Sequence, residues 1–261
     1  MAYLKIAEGC DKRCSYCIIP KIRGRFRSVP MQELLNEAKR LASEGVKELV
    51  LVAQETTLYG KDLTGEKQLP LLLHELCKIE GIEWIRLLYC YPEEITDELI
   101  KVIKTEEKVC NYIDMPIQHS ENRILQRMGR RTSREDLVAV IKKLRKEIPD
   151  ITIRTTLITG FPGESQEDHE GLMNFVEECQ FDRLGVFTYS PEEDTLAATF
   201  EDQIDEEVKE ERRDELMSLQ QEISYEHTQQ LVGKTIKVMV EGYLFEDDIY
   251  VGRSYMDAPK V

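Results

Sequence analysis

Short apolar runs that alternate with helical patterns restrict the fold of this 261-residue chain more than any other feature. The run Leu49-Val50-Leu51-Val52 has no polar position, which is typical of a strand buried on both faces. Strand patterns cover residues 3–7, 47–53, 84–89, 112–116, 151–158 and 183–189, and helical patterns cover 31–43, 69–78, 133–146, 165–179 and a segment from Thr96. Strand-then-helix units in series predict a parallel sheet with right-handed crossovers. Because a complete β/α barrel has eight units, six units favour a partly open (β/α)6 barrel over a doubly wound sheet.

The pattern changes after Tyr189. Residues 201–211 are crowded with acids, and apolar residues then recur at helical intervals as far as Leu231, which predicts one long helix packed on the barrel. Residues 235–240 and 249–252 are predicted to be strands of a small β module, which is too short to close a core of its own. We therefore expect a barrel over residues 1–198, a linking helix over 199–232 and a truncated β module over 233–261.

Composition narrows the setting of the chain. It contains no apolar run of the roughly 18 residues that a membrane span needs, and its first residues do not resemble a signal peptide. Seven cysteines, an odd number, favour a reducing compartment, so we expect a cytoplasmic protein without membrane contact. The net charge of −15 disfavours a nucleic-acid backbone and suits a basic protein partner. The exception is a local cationic stretch, which is either a solvated loop or a contact for a phosphate, a carboxylate or an acidic neighbour: Lys21, Arg23, Arg25 and Arg27.

Three closely spaced cysteines, Cys10, Cys14 and Cys17, follow the first predicted strand in the pattern C-x₃-C-x₂-C. Such a loop can wrap one face of a 4Fe-4S cluster and leave one iron without a protein ligand. Three cysteines can also hold a catalytic zinc with water in the fourth position, or remain structural thiols, or belong to a disulfide framework. The other four cysteines have no partners at ligand spacing, and we expect them to be small core residues.

Polar and glycine-rich positions follow the ends of the predicted strands. In a β/α barrel these ends meet at one rim, where functional groups collect. Gln54 follows the second strand, Gln118 the fourth and Gly160 the fifth. Gly160 either serves a tight turn or lets a cofactor approach the backbone, and His119 is more typical of a structural residue than of a catalyst.

The motifs together resemble those of the radical S-adenosylmethionine (SAM) enzymes, and within them the methylthiotransferases. The resemblance rests on the cysteine pattern with Tyr16 before its last member, on the run from Thr156 to Glu164 that ends Gly-Phe-Pro-Gly-Glu, and on residues 20–27 and 189–198. Residues 54–60 and 114–119 are similar to the RimO family, which acts on ribosomal protein S-twelve. The related MiaB family, which modifies tRNA adenosine, typically differs at both segments. The C-terminal strands resemble the start of a TRAM domain.

The resemblance implies a partial barrel of six units, in agreement with the strand count. It implies that Cys10, Cys14 and Cys17 hold a 4Fe-4S cluster whose open iron binds SAM. In the family, cleavage of SAM gives a 5′-deoxyadenosyl radical that removes hydrogen from the β-carbon of an aspartate, where a methylthio group is then placed. The second 4Fe-4S cluster of the family belongs to an N-terminal domain that this chain lacks, so we expect a core fragment.

The position of each residue at the rim gives five candidates for the SAM pocket: Tyr16, Gln54, Gln118, Arg154 and Gly160. Arg154 would pair with the methionyl carboxylate, because a planar guanidinium fits a carboxylate well; the alternative is a structural ion pair. Expected partners are basic ribosomal protein S-twelve and an electron donor such as flavodoxin or ferredoxin, with RNA contact through a complete TRAM domain. The alternatives are a MiaB-like tRNA methylthiotransferase and a metal-containing RNA-binding module without catalysis.

Overall fold

The computed structural model describes residues 1–259 and contains the predicted alternation of strands and helices. The strands are β1 (Ala2–Lys5), β2 (Ala7–Glu8), β3 (Arg27–Ser28), β4 (Glu48–Val52), β5 (Trp84–Leu87), β6 (Tyr112–Asp114), β7 (Thr152–Thr159), β8 (Arg183–Thr188), β9 (Val238–Leu244) and β10 (Ile249–Ser254). The helices are α1 (Ile19–Arg23), α2 (Met31–Ser43), α3 (Lys61–Thr64), α4 (Leu69–Cys77), α5 (Asp97–Thr105), α6 (Asn122–Arg127), α7 (Arg134–Glu147), α8 (Gln166–Cys179) and α9 (Glu206–Gln229). Single 3₁₀ turns lie at Pro92–Glu94 and Ala197–Thr199.

Six parallel strands form the open barrel in the order in which they occur along the chain. One sheet has the order β1-β4-β5 and the other β6-β7-β8. The two are joined at β5 and β6, where the Cys110 N–H donates to the Ile85 carbonyl at 2.9 Å and the Cys90 N–H to the Asp114 carbonyl at 2.8 Å. A doubly wound sheet would reverse its strand order at a switch point, and no reversal occurs here. The predicted partial barrel is confirmed.

Local sequence signals position the helices around the strands. Helix α2 has the predicted bounds, and α7 and α8 begin after Ser133 and Ser165, whose hydroxyls accept from the backbone N–H groups of Asp136 and Asp168 in capping boxes. The main core fills the space between these helices and the strands, with Leu49, Leu51 and other strand residues fully buried. The short helices α1, α3 and α6 were not predicted, because four to six residues are too few to show a helical period.

The C-terminal part of the chain packs on the barrel. Helix α9 begins at Glu206, a few residues after the predicted start, and buries Leu216 and Ile223. Strands β9 and β10 pair antiparallel with a register shift between Val251 and Gly252. The proposed division at 1–198, 199–232 and 233–261 stays a prediction, and its last two residues lie outside the described part. No helix within residues 1–259 is both long and apolar enough to cross a membrane.

Residues of β9, β10 and the segment that follows β10 cover the amino-terminal end of the barrel strands. Met239, Tyr255 and Ala258 cover an apolar cluster that includes Val50 and Trp84. The Arg253 guanidinium pairs there with the fully buried carboxylate of Glu48. These C-terminal residues therefore pack on the barrel, a contact that was not predicted from the sequence.

Candidate active site

The three clustered cysteines lie in the loop between β2 and α1, at the carboxyl-terminal side of the barrel. Cys10 and Cys14 are buried and Cys17 is half-buried, and all seven cysteines of the chain are free thiols. The three face one cavity of about 470 Å³. The cavity is also lined by residues from β2, α1, β4 and the loop after β5, which include Glu8, Arg23, Val52, Gln54, Tyr89 and Tyr91. The structure thus brings the cysteine triad together with the ends of neighbouring strands, as predicted.

Gly9 fixes one side of the cysteine loop. Its φ is +79°, and a Cβ atom there would lie 2.2 Å from the Arg25 carbonyl oxygen, so only glycine fits without a shift of the backbone. The Gly9 N–H donates to Gln54 Oε1 at 2.7 Å, and the Cys10 N–H donates to the Gly24 carbonyl at 3.2 Å. Gln54, a predicted SAM-pocket residue, therefore both lines the cavity and holds the start of the loop.

The turn after α6 fixes the other side. The Ser15 N–H and hydroxyl donate to the carbonyls of Met128 and Arg127 at 2.9 and 2.8 Å. Gly129 has φ +74°, and a Cβ there would lie 2.7 Å from the Arg13 carbonyl oxygen. Backbone groups from several elements thus define the loop before any cofactor is considered, which is the rigidity that a metal-binding loop needs.

Lys12, between the first two cysteines, anchors the loop electrostatically. Its ammonium lies 2.9 Å from Glu94, 3.1 Å from Glu93 and 3.7 Å from Glu55, and 4.9 Å from the centre of the Tyr91 ring. Burial acts to lower the pKa of Lys12, but these carboxylates outweigh it, so the pKa is raised. This cluster was not predicted from the sequence, although Pro92-Glu93-Glu94, shortly after the third predicted strand, was a signal for it.

Glu55 is the least compensated member of the cluster. It is 1% exposed, and neither carboxylate oxygen has a hydrogen-bond partner among the described residues. Burial raises the pKa of Glu55 to about 7, against the attraction of Lys12. Glu55 does not line the cavity, and the one positively charged group within 4 Å of it among the described residues is Lys12.

The cysteine thiols fit a positively charged, multi-atom group. Burial, with smaller contributions from Glu55 and the neighbouring cysteines, raises the pKa of Cys10 to about 11, and burial also raises that of Cys17. Thiolates at these positions therefore require a cationic ligand. Within residues 1–259, no three cysteine, histidine or carboxylate side chains surround one point as a single metal ion requires. Soft sulfur donors spread along one cavity wall fit an iron–sulfur cluster, whose irons each take their own ligand, better than one tetrahedral zinc.

The remaining predicted SAM-pocket residues do not line this cavity. Tyr16 is half-buried and packs edge-on against Phe161, with ring centres 6.4 Å apart. Gln118 has φ +75°, and its buried side-chain oxygen has no partner among the described residues. A Cβ on Gly160 would lie 2.1 Å from Cγ of Lys209, so the close packing of α9 explains why this position has no side chain. Their contacts to SAM stay predictions.

Arg154 has a protein partner instead of an open carboxylate site. Its Nη1 lies 2.6 Å from Oδ1 of Asp114, which is 1% exposed. This is the structural ion pair that sequence analysis held as the alternative. The pair lies between β6 and β7, where Asp114 and Arg154 are direct partners in the parallel register.

The Radical SAM superfamily model matches residues 4–176. The open β/α barrel and the cysteine loop at its rim agree with that match, and the chain belongs to the radical SAM superfamily. Solved structures show the same fold: the radical SAM methyltransferase TsrM of Kitasatospora setae is 18% identical with a TM-score of 0.60, over 72% of this chain and 36% of that one. Methylornithine synthase is 16% identical with a TM-score of 0.58, over 84% and 62%.

Curated relatives confirm the predicted resemblance to the RimO branch. The chain is 64% identical over 260 residues to "Ribosomal protein uS12 methylthiotransferase RimO" of Lachnoclostridium phytofermentans, which covers 100% of this chain and 59% of that protein. It is 57% identical to the protein of the same name in Clostridium perfringens, over 100% and 58%. The chain thus spans about three fifths of the length of the curated relatives that it matches.

Proposed function

We propose that this chain is the radical SAM core of a RimO-type methylthiotransferase, which modifies an aspartate of ribosomal protein uS12. One observation carries the proposal: three thiols face a single cavity at the rim of the barrel, next to Gln54 and the end of β5. The 64% identity to a RimO protein supports the choice of substrate. Because the chain spans only part of its relatives, the complete reaction is proposed for a form with their full length.

Cys10, Cys14 and Cys17 would hold the 4Fe-4S cluster, with SAM as the second cofactor. When bound, the cluster supplies the electron that cleaves SAM and so starts hydrogen removal from the substrate. The chain positions these groups: Gly9 and Gly129 permit the close backbone contacts that fix the loop. The Lys12 backbone N–H donates to Cys10 Sγ at 3.4 Å, and its ammonium fixes the loop to Glu93 and Glu94 at 3.1 and 2.9 Å. A second 4Fe-4S cluster would lie in a domain outside this chain.

Gln54 is the SAM-pocket candidate with the most direct support, because it lines the cysteine cavity. Tyr16 and Gln118 are proposed at its edge, and the orphaned oxygen of Gln118 is an acceptor without a protein donor. Gly160 stays a proposed contact of SAM, and the close approach of Lys209 from α9 already requires a residue without a side chain there. Arg154 has its guanidinium on Asp114, so its proposed role as a ligand of the methionyl carboxylate has the least support.

The acidic surface suits the proposed partner. Ribosomal proteins are basic, and a net charge of −15 steers a basic protein toward this one. We propose a cytoplasmic location and reduction by a carrier such as flavodoxin or ferredoxin. The C-terminal β module is proposed as the start of a TRAM domain, and RNA contact would require that domain to be complete.

Anaerobic reconstitution with iron and sulfide tests the proposal. The wild-type chain should take up about four irons, turn brown and cleave SAM when dithionite is added. Cys14→Ala should lose the iron, whereas Cys90→Ala should keep it, because Cys90 is buried 3.5 Å from Thr56 and does not line the cavity. A colourless wild-type protein with stoichiometric zinc would reject the cluster.

The choice of substrate needs a separate measurement. A form with the full length of the relatives is offered uS12 and tRNA side by side, and the mass added to each is measured. Methylthiolation of uS12 alone is expected. Modification of tRNA alone would replace this proposal with the MiaB-like alternative.

A further inference from the structure

Tyr89 has a backbone conformation that a bulky residue rarely adopts. It lies two residues after the end of β5 at the rim of the barrel, and its φ is +58°, in the left-handed region. Contact between Cβ and the backbone disfavours this region for every residue except glycine. Strained residues persist only where the surrounding structure fixes them, and they cluster at functional sites.

The Tyr89 backbone is held from both sides. Its N–H donates to Oδ2 of Asp114 at 3.0 Å, and its carbonyl accepts from the Thr56 N–H at 3.1 Å. The Thr56 hydroxyl donates to the carbonyl of the preceding residue, Leu88, at 2.8 Å. The second oxygen of Asp114 is the one that binds Arg154 at 2.6 Å. Asp114 thus links the Arg154 guanidinium to the backbone N–H of Tyr89. This gives Arg154 a role that was not predicted from the sequence.

The Tyr89 ring lies open at the mouth of the cysteine cavity. It is 46% exposed and lines the cavity, whereas Tyr91 on the same wall lies beneath Lys12 and Arg130, 4.9 and 4.5 Å from its ring centre. Within residues 1–259, the Tyr89 hydroxyl takes part in no hydrogen bond with another residue. The strained backbone therefore positions an aromatic ring and an unpartnered O–H group at the entrance. Burial of the ring does not compensate for the strain, because the ring is exposed.

We propose that Tyr89 contacts the polypeptide substrate where it enters the cavity, and that Asp114 and Arg154 are positioning residues that fix it there. The inference rests on the proposed function. A ring at the solvent side of a cavity is reached first by a macromolecule that enters, whereas Cys10 and Cys14 on its wall are buried. The ring supplies apolar contact area at low entropic cost, and the phenol donates a hydrogen bond to a carbonyl or carboxylate of the polypeptide.

The strain itself is tested by thermal unfolding of Tyr89→Gly and Tyr89→Ala. Both variants lose the ring, so their difference reports the backbone alone. At ordinary positions alanine is the more stable, but at φ +58° glycine should give the higher Tm, by a few degrees. Tyr225 is the matched control, because it is 65% exposed within α9, where the glycine variant should have the lower Tm. If Tyr89→Ala has the same Tm as Tyr89→Gly, the claim that the Tyr89 backbone is strained is rejected.

The substrate contact is tested by binding to the reconstituted chain. Tyr89→Ala should weaken uS12 affinity about tenfold, and any loss of SAM affinity should be clearly smaller than this loss. Asp114→Asn should weaken uS12 affinity as well, and the double variant should be no weaker than Tyr89→Ala, because residues that act through one another are not additive. Additive losses would make Asp114 a separate structural residue and overturn its positioning role. If Asp114→Asn does not fold, Thr56→Val replaces it in the cycle, because it removes the hydroxyl that donates to the Leu88 carbonyl directly before Tyr89.

Failure of the inference and failure of the proposed function give different results. If wild type binds SAM and uS12 and Tyr89→Ala binds uS12 equally well, the substrate contact is rejected alone. If Tyr89→Ala loses SAM affinity and keeps uS12 affinity, the ring serves the cofactor and the inference is wrong. If reconstituted wild type neither cleaves SAM nor binds uS12, the proposed function fails and the substrate contact fails with it, while the Tm comparison still decides the strain.

Discussion

Replacement of Glu48 by Gln should destabilise the barrel more than any exposed charge change. The Glu48 carboxylate is fully buried, and it accepts from Arg86 Nε at 2.8 Å and from Arg253 Nη1 at 3.2 Å. Arg86 is also fully buried, and Arg253 comes from β10, so one carboxylate joins two barrel strands to the C-terminal segment. The Gln variant keeps the shape and removes the charge that both guanidiniums face.

The magnitude follows from the burial of the three groups. Two unit charges about 4 Å apart attract by about 4 kcal/mol at an effective dielectric constant of about 20. Two such attractions are lost, and the relief of one buried carboxylate offsets part of them. Loss of one partner from a buried ion pair costs about 3–5 kcal/mol, and we expect this value for Glu48→Gln. It is a large share of the roughly 5–15 kcal/mol that stabilises a domain.

The assay is urea unfolding followed by tryptophan fluorescence and far-UV circular dichroism. Trp84, the single tryptophan, lies 6.0 Å from the guanidinium carbons of both Arg86 and Arg253 and reports this site directly. Glu83→Gln is the matched control, since its pair with Lys237 also joins the barrel to the C-terminal module but both side chains are more than half exposed. The control should lose less than about 1 kcal/mol. Equal losses in the two variants would refute the argument from burial.

Three further changes test other parts of the structure. Gly9→Ala should lower Tm and iron uptake together, because its Cβ would lie 2.2 Å from a backbone oxygen; full iron uptake would show that the loop adapts. Glu55→Gln should unfold at a higher urea concentration than wild type at pH 8, but at the same concentration at pH 4. The pKa of Glu55 is raised to about 7 in the folded state, so the buried carboxyl is neutral and stabilising below about 4.5. This stabilisation is lost as the pH rises through 7, where wild type buries a charge and the Gln variant does not. Ser133→Ala should lose about 1 kcal/mol of unfolding free energy, because the N-cap acceptor of α7 disappears, and Ser133→Asp should retain it; an unchanged alanine variant would exclude the cap.

The sequence predicted those features that depend on residues close together in the chain. The bounds of α2, the cap at Ser133 and the buried strand around Leu49 agree with the structure. Each rests on a local period or on a single capping side chain, which a linear pattern records. The cysteine loop at the rim was predicted for the same reason, because its position follows from the end of the first strand.

Pairs of residues far apart in sequence were not predicted. Lys12 meets carboxylates 81 and 82 positions away, and Glu48 meets Arg253 across 205 positions. Gly160 was expected to serve a turn or a cofactor, but the structure places Lys209 against it. No local pattern records which charge faces which, since the answer depends on strand register and on how the last segments pack.

The sequence by itself thus determined the six-unit barrel, the cysteine triad at its rim and the class of chemistry that they favour. Only the tertiary structure decided what each polar group near the site faces: Arg154 binds Asp114, Asp114 holds the strained backbone of Tyr89, and the Tyr89 ring lies at the cavity mouth. The physical reason is that periodicity and burial are encoded along the chain, whereas an ion pair or a strained residue exists only when separate strands are in register.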